Sequence, residues 1–268
     1  MKTAVLANQK GGVGKSAVLT QLAHYLAILL KLRVLVLDFD HQKNATKPLS
    51  KNDRVTVAGF TTSQLLLGQA SAAGLPEGAF VLVPGDDVLS TLERQPDKHN
   101  AIANSLKTFL EEAAGHFDVC LIDTNPNPDI RYAAALITSN FVLSPIQLNQ
   151  EAIDGIGSLL NHQRYGYRKI KQAINPGLEL IGILPNMVEP TPFQRGNFKQ
   201  LAEAFAQLLI VIDEKTRQFA FLPKRSAIAE AQAEGAFLAD IKKTAAREAW
   251  REIKPSFDVI AQRMNIEV

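Results

Sequence analysis

The first thirty residues restrict the possible fold more than any other part of the chain. The apolar run TAVLA (3–7) gives way to the turn QKGGVGKSA (9–17), and AVLTQLAHYLAILL then repeats its apolar residues at helical spacing. A strand, a glycine-rich turn and a helix in direct succession form an anion nest. Glycines let the backbone curl until successive N–H groups point inward, and the helix adds the positive end of its dipole. The cradle comprises Gly11, Gly12, Val13, Gly14, Lys15, Ser16 and Ala17. In this arrangement Lys15 reaches the outer phosphates of a nucleoside triphosphate and the Ser16 hydroxyl can ligate Mg²⁺. Gln9 stands where the general phosphate-loop pattern has its first glycine, and a second lysine, Lys10, precedes the glycines. The loop is therefore a variant of the general form.

Further apolar runs recur along the chain: RVLVLDF (33–39), FVLVP (80–84), FDVCLID (117–123), FVLSPI (141–146), ELIGIL (179–184) and FAFLP (219–223). Continuous apolar strands alternating with amphipathic helices predict a doubly wound α/β fold, a mostly parallel sheet flanked by helices. The 268 residues contain no linker or repeat, so they are expected to form one domain. Between residues 43 and 115 the pattern weakens, although AIANSLKTFLEEAAG has helical spacing and a glycine stop. Apolar positions from Ala246 to Met264 predict terminal helices interrupted at Pro255.

Charge and cysteine usage exclude several functions. Lys and Arg number 29 against 27 Asp and Glu, so attraction to nucleic acid must come from local clustering. The single cysteine, Cys120, lies in an apolar run and reads as a core side chain. One cysteine per chain is too few to bridge an iron–sulfur cluster between two subunits. No apolar stretch approaches a membrane span, and the N-terminus turns polar too early for a secretion signal. The chain is expected to be cytoplasmic.

Two acidic strand ends complete the nucleotide chemistry. Asp123 ends FDVCLID, where a carboxylate at the C-terminal edge of a parallel sheet faces the ligand crevice. Asp38 and Asp40 end the strand RVLVLDF, two residues apart and so on one face, in position to act on the ligand or to cap the next helix.

KGGVGKS, VLVLDFDHQKNAT and FDVCLIDTNP together resemble the ParA/MinD group of P-loop ATPases, and SPIQLNQEAIDGI, FLPKRSAIAEAQAEG and IKKTAARE extend the likeness over nearly all the chain except residues 47–116. Within the group the chain most resembles the short-form partition ATPases of IncP-type plasmids, without an N-terminal helix-turn-helix extension. The resemblance implies ATP and Mg²⁺ as cofactors, with Lys10, Lys15 and Asp40 as the catalytic set. Lys10 would cross a nucleotide-sandwich homodimer to the partner's phosphates, and Asp40 would orient the attacking water. Ser16, Asp38 and Asp123 would serve the metal, while Asn186, Met187 and Pro223 would flank adenine. His41 and Asn125 stand where relatives usually have proline, which predicts looser switch segments.

The resemblance further implies a DNA-partition ATPase. Its ATP dimer binds DNA nonspecifically, and a ParB-type centromere-binding protein stimulates hydrolysis and release, leaving the protein associated with the nucleoid and not with membrane. The alternative is a related ATPase that positions protein cargo or binds membrane. Late basic residues, Arg195, Lys224, Arg225, Lys242, Lys243 and Arg247, are the expected DNA contacts. The run RYGYRKIK (164–171) is a second basic candidate, read first as solvated charge at a helix end.

Overall fold

A computed structural model describes residues 1–268, apart from the side chains of Ala152 and Asp154. Seven parallel strands form the main sheet: β1 (Lys2–Leu6), β2 (Val34–Asp38), β3 (Thr56–Val57), β4 (Phe80–Val83), β5 (Val119–Asp123), β6 (Phe141–Gln147) and β7 (Glu179–Asn186). Their order is β3-β4-β2-β5-β1-β6-β7. The continuous apolar runs are explained by burial on both faces. In β1, Ala4 and Leu6 enter one core and Val5 enters the other; in β2, Val34 and Val36 oppose Leu35 and Leu37 in the same way.

The first core lies under the helices Lys15–His24 and Thr244–Arg263, and the second under His99–Ala113 and Ile130–Thr138. A smaller cluster joins β6 and β7 to the helices Gln150–Asn161 and Pro192–Phe205. From the central strands the chain leaves in opposite directions, β1 toward β2 and β5 toward β6. The crevice at their C-terminal ends is thus the switch point where such sheets bind ligands.

Two expectations are corrected. The run FAFLP does not join the sheet as one strand. Gln218–Phe219 (β9) pairs antiparallel with Val211–Asp213 (β8), closed by Arg217 at φ 52°. Beyond it, Leu222 and Lys224 donate backbone hydrogen bonds to Pro185 and Val188 alongside the end of β7. Nor does Pro255 break the terminal helix, which runs unbroken over Thr244–Arg263. Ala246, Ala249, Ile253, Phe257 and Ile260 form one buried stripe across it. Burying that stripe outweighs the roughly 3 kcal/mol penalty of an interior proline.

Candidate functional site

The loop after β1 closes over its own backbone. Gly12 and Gly14 adopt φ 76° and 83°, which side chains rarely tolerate. At Gly14 a Cβ would also lie 2.2 Å from the Asn186 amide nitrogen. That amide, expected from the resemblance to flank adenine, donates to the Val13 carbonyl at 2.8 Å and holds the loop against the end of β7. The Lys15 ammonium, only 7% exposed, donates to the carbonyls of Asn8 (3.1 Å) and Lys10 (3.3 Å). Burial lowers its pKa, and the carboxylates of Asp123 and Asp40 oppose that shift.

An open cavity of about 550 Å³ lies over the loop, lined by Gly11, Gly12, Gly14, Lys15, Ser16, Ala17, Asp40, Pro126 and Met187. Val13, Asn186 and Pro223 are not in its wall. Pro223 instead bridges to Val188. Sequence reasoning missed Gln42, Asn44, Lys47, Lys51 and Gln232, which complete the cavity. The one available signal was the pair Lys47 and Lys51, four residues apart just after the second acidic strand end.

Asp38 and Asp123 are neighbours across β2 and β5, and both are fully buried. Ser16 Oγ donates to Asp123 Oδ2 at 2.5 Å, while Asp123 Oδ1 is buried with no hydrogen-bond partner. Desolvation, reinforced by Asp38, pushes the Asp123 carboxyl well above the usual range. A hydroxyl and an uncompensated carboxylate oxygen beside a phosphate cradle are a donor set for a hard cation. Mg²⁺ fits that donor set and would supply positive charge beside the phosphates. Among the described residues no three His, Cys, Asp or Glu side chains form a protein-only metal cage.

The two acids of the β2 end differ in their surroundings. Asp38 Oδ1 accepts from the Asp40 amide (3.0 Å), and Oδ2 accepts from the Thr46 amide (2.8 Å) and hydroxyl (2.6 Å). Burial raises Asp38 to about 6 against those hydrogen bonds. Asp38 therefore braces the loop 39–45 and caps the short helix Thr46–Leu49. Asp40 lines the cavity, and its Oδ1 accepts from the Gln42 amide at 3.0 Å.

Side chains make contacts around Asn125, where a proline is missing. Asn125 donates to Asp129 Oδ2 at 3.0 Å, and Arg131 binds the same oxygen through Nε (3.1 Å) and Nη2 (2.5 Å). Arg131 Nη1 reaches across to the Phe39 carbonyl at 3.3 Å. Phe39 lies between Asp38 and Asp40, so one buried guanidinium joins the segment after Asp123 to the segment after Asp38. Asp129 also caps the helix Ile130–Thr138 by accepting from Arg131 N and Tyr132 N.

Lys10 folds back within the chain, where its ammonium pairs with Glu151 and approaches Asn149 Oδ1 at 3.4 Å. Glu151 is 84% exposed, so this pair is open to exchange for another anion. Among the expected DNA contacts, Lys224 pairs with Glu189 (3.2 Å), Arg225 with Glu252 (2.5 Å) and Lys243 with Glu230 (3.0 Å). Arg195, Lys242 and Arg247 make no ion pair within 4 Å among the described residues.

Residues 1–180 match a family described as an AAA domain. A protein named IncC from Escherichia coli is 33% identical over 279 residues, covering 99% of this chain and 71% of its own length. The chromosome-partitioning ATPase Soj of Thermus thermophilus is 31% identical, covering 87% of this chain and 86% of its own. Among solved structures, the Cyanothece McdA(D38A)–ATP complex superposes with a TM-score of 0.79 at 20% identity, covering 100% of this chain and 98% of that one. A putative plasmid partition protein from Borrelia burgdorferi bound to AMPPNP gives 0.73 at 20% identity, covering 98% and 99%. At that identity the superpositions speak for the fold alone.

Proposed function

The chain belongs to the ParA/MinD family of P-loop partition ATPases, and from that membership we propose that it segregates DNA by switching between an ATP-bound dimer and a released monomer. The observation that carries this reading is the second lysine, Lys10, beside the phosphate cradle and held by a solvent-open pair with Glu151 and a 3.4 Å contact to Asn149 Oδ1. Exchanging that carboxylate for a triphosphate across a two-fold axis would couple nucleotide occupancy to dimer formation, because a cation between two facing triphosphates offsets their repulsion.

Within one subunit, Lys15 binds the outer phosphates and gives up its contacts with the Asn8 and Lys10 carbonyls to do so. Ser16 and Asp123 would hold a Mg²⁺ ion, which would supply positive charge beside the phosphates. Asp40 orients water, while Asp38 and Arg131 fix the backbone on either side of it. Met187 flanks the base from the cavity wall. The dimer binds DNA without sequence preference on the nucleoid, and a ParB-type partner stimulates release. Among the described residues no helix is long and apolar enough to cross a membrane.

The test is to measure oligomeric state and DNA binding in parallel with no nucleotide, ADP and ATP. Dimerisation and DNA binding that both require ATP support the reading. A monomer in ATP, or DNA binding indifferent to nucleotide, refutes it.

A further inference from the structure

Three of the six cations assigned to DNA from sequence are paired with carboxylates at 2.5–3.2 Å, whereas in a different patch the one such contact is at 3.9 Å among the described residues. From residue 155 to residue 178 there is no Asp or Glu, and the segment carries Arg164, Arg168, Lys169 and Lys171. It links the end of the helix Gln150–Asn161 to the helix Tyr167–Ala173 and then to the start of β7. Arg164, Arg168 and Lys169, all exposed, surround a hollow of about 750 Å³ with the amides of Asn161, Gln163 and Gln172.

Arg168 and Lys169 are braced without being discharged, and Arg164 is braced beside one distant carboxylate. Arg168 donates to Asn161 Oδ1 at 3.1 Å, and Lys169 donates to the Gln163 carbonyl at 2.6 Å. The Arg164 guanidinium lies 5.3 Å from the centre of the Tyr165 ring. No described carboxylate comes within 4 Å of Arg168 or Lys169, and Arg164 meets only Glu93, at 3.9 Å. Holding the side chains in place while leaving their charge unspent lowers the ordering cost of binding an anion. A polar hollow of guanidinium, ammonium and amide donors suits successive phosphates of a nucleic-acid backbone, which such groups contact without reading sequence.

Position strengthens the case. All main-sheet strands run parallel, and the phosphate loop follows the last residue of β1, whereas this patch precedes the first residue of β7. It therefore lies at the opposite end of the sheet from the nucleotide. The 12-residue helix between the Lys10 partner Glu151 and the patch spans about 18 Å. A dimer joined through its nucleotide faces leaves two such patches free at its outer ends.

We infer that the surface around Arg164, Arg168 and Lys169 is a duplex-DNA phosphate contact of this protein. The inference rests on the DNA-binding reading above and changes where the DNA lies.

The experiment is fluorescence anisotropy of a labelled random-sequence duplex with full-length protein in ATP and Mg²⁺, titrated over a range of salt. The variants are Arg164→Gln/Arg168→Gln/Lys169→Gln and the charge-keeping Arg164→Lys/Arg168→Lys, with folding checked by thermal melting. The neutral triple variant should lose at least about tenfold in affinity, and its log–log salt slope should shrink by about 2 to 3. The lysine variant should keep the wild-type slope, since backbone phosphates need charge more than fork geometry. A neutral variant that melts normally and binds with wild-type affinity and slope overturns this location while leaving the partition reading intact. If the wild type shows no ATP-dependent DNA binding, both fall.

Discussion

Replacing Arg131 tests whether a buried ion pair stands in for the missing proline. The Arg131 and Asp129 side chains are 3% and 9% exposed, so neither charge has much water. Arg131→Leu leaves the Asp129 carboxylate buried, facing only the Asn125 amide and two helix N–H groups. Stranding one member of such a pair costs about 3 to 5 kcal/mol. Removing both charges with Asp129→Asn/Arg131→Leu should cost less than about 1 kcal/mol, because asparagine still caps a helix and two apolar or amide groups need no counter-ion. Asn125 can adapt to the change, since its Oδ1 is buried without a partner and a flipped amide would present it to the new Asn side chain.

Urea unfolding followed by circular dichroism reads both values, with an unchanged slope showing that the denatured states match. Both variants lose the donor to the Phe39 carbonyl, so ATP turnover should fall in each while ATP affinity, measured by calorimetry, stays within about twofold. A single variant that loses under about 1 kcal/mol, or a double variant as unstable as the single, would refute the electrostatic reasoning. A double variant with wild-type turnover would refute the tie to Asp40.

Lys15→Ala should abolish measurable ATP binding by calorimetry, because its ammonium is the one the loop's own backbone encloses, on the carbonyls of Asn8 and Lys10; retained tight binding would remove the site. Lys10→Ala should preserve ATP binding by the monomer yet prevent ATP-dependent dimerisation in sedimentation, and an unchanged profile would count against the trans role. His24, 1% exposed and stacked on Phe237, has its pKa lowered from the ordinary 6.5 to about 4, chiefly by burial. The unfolded chain therefore takes up the proton first. This contribution is fully present above pH 6.5 and is lost as pH falls toward 4, by about 3 kcal/mol. Relative to wild type, His24→Gln should show a stability difference that changes by about that amount across the window in urea titrations, and a pH-independent difference would dismiss it.

The parts legible in sequence are those where neighbours in the chain are also neighbours in space. The phosphate loop needs only nine consecutive residues to state its geometry, and strand runs announce burial on both faces because alternate residues feed two cores. The terminal helix was legible too, had the unbroken spacing of Ala246, Ile253, Phe257 and Ile260 been weighed above the local penalty of Pro255. FAFLP was misjudged because an apolar run says how much is buried and not which backbone it pairs with.

Electrostatics was the least legible, for a reason with functional weight. A cation's usefulness to a polyanion depends on whether a carboxylate already holds it, and the acids that hold Lys224 and Arg225 come from 35 and 27 residues away. Asn125 and Arg131 show the same rule in the opposite sense, since the segment that lacks a proline gains side-chain bonds, Asn125 to Asp129 four residues on and Arg131 to a carbonyl 92 residues away. Local charge density in the sequence thus cannot show that acids distant in the chain hold half of the late basic cluster, nor that Arg168 and Lys169 in the acid-free segment 155–178 meet no described carboxylate within 4 Å while Arg164 meets Glu93 at 3.9 Å.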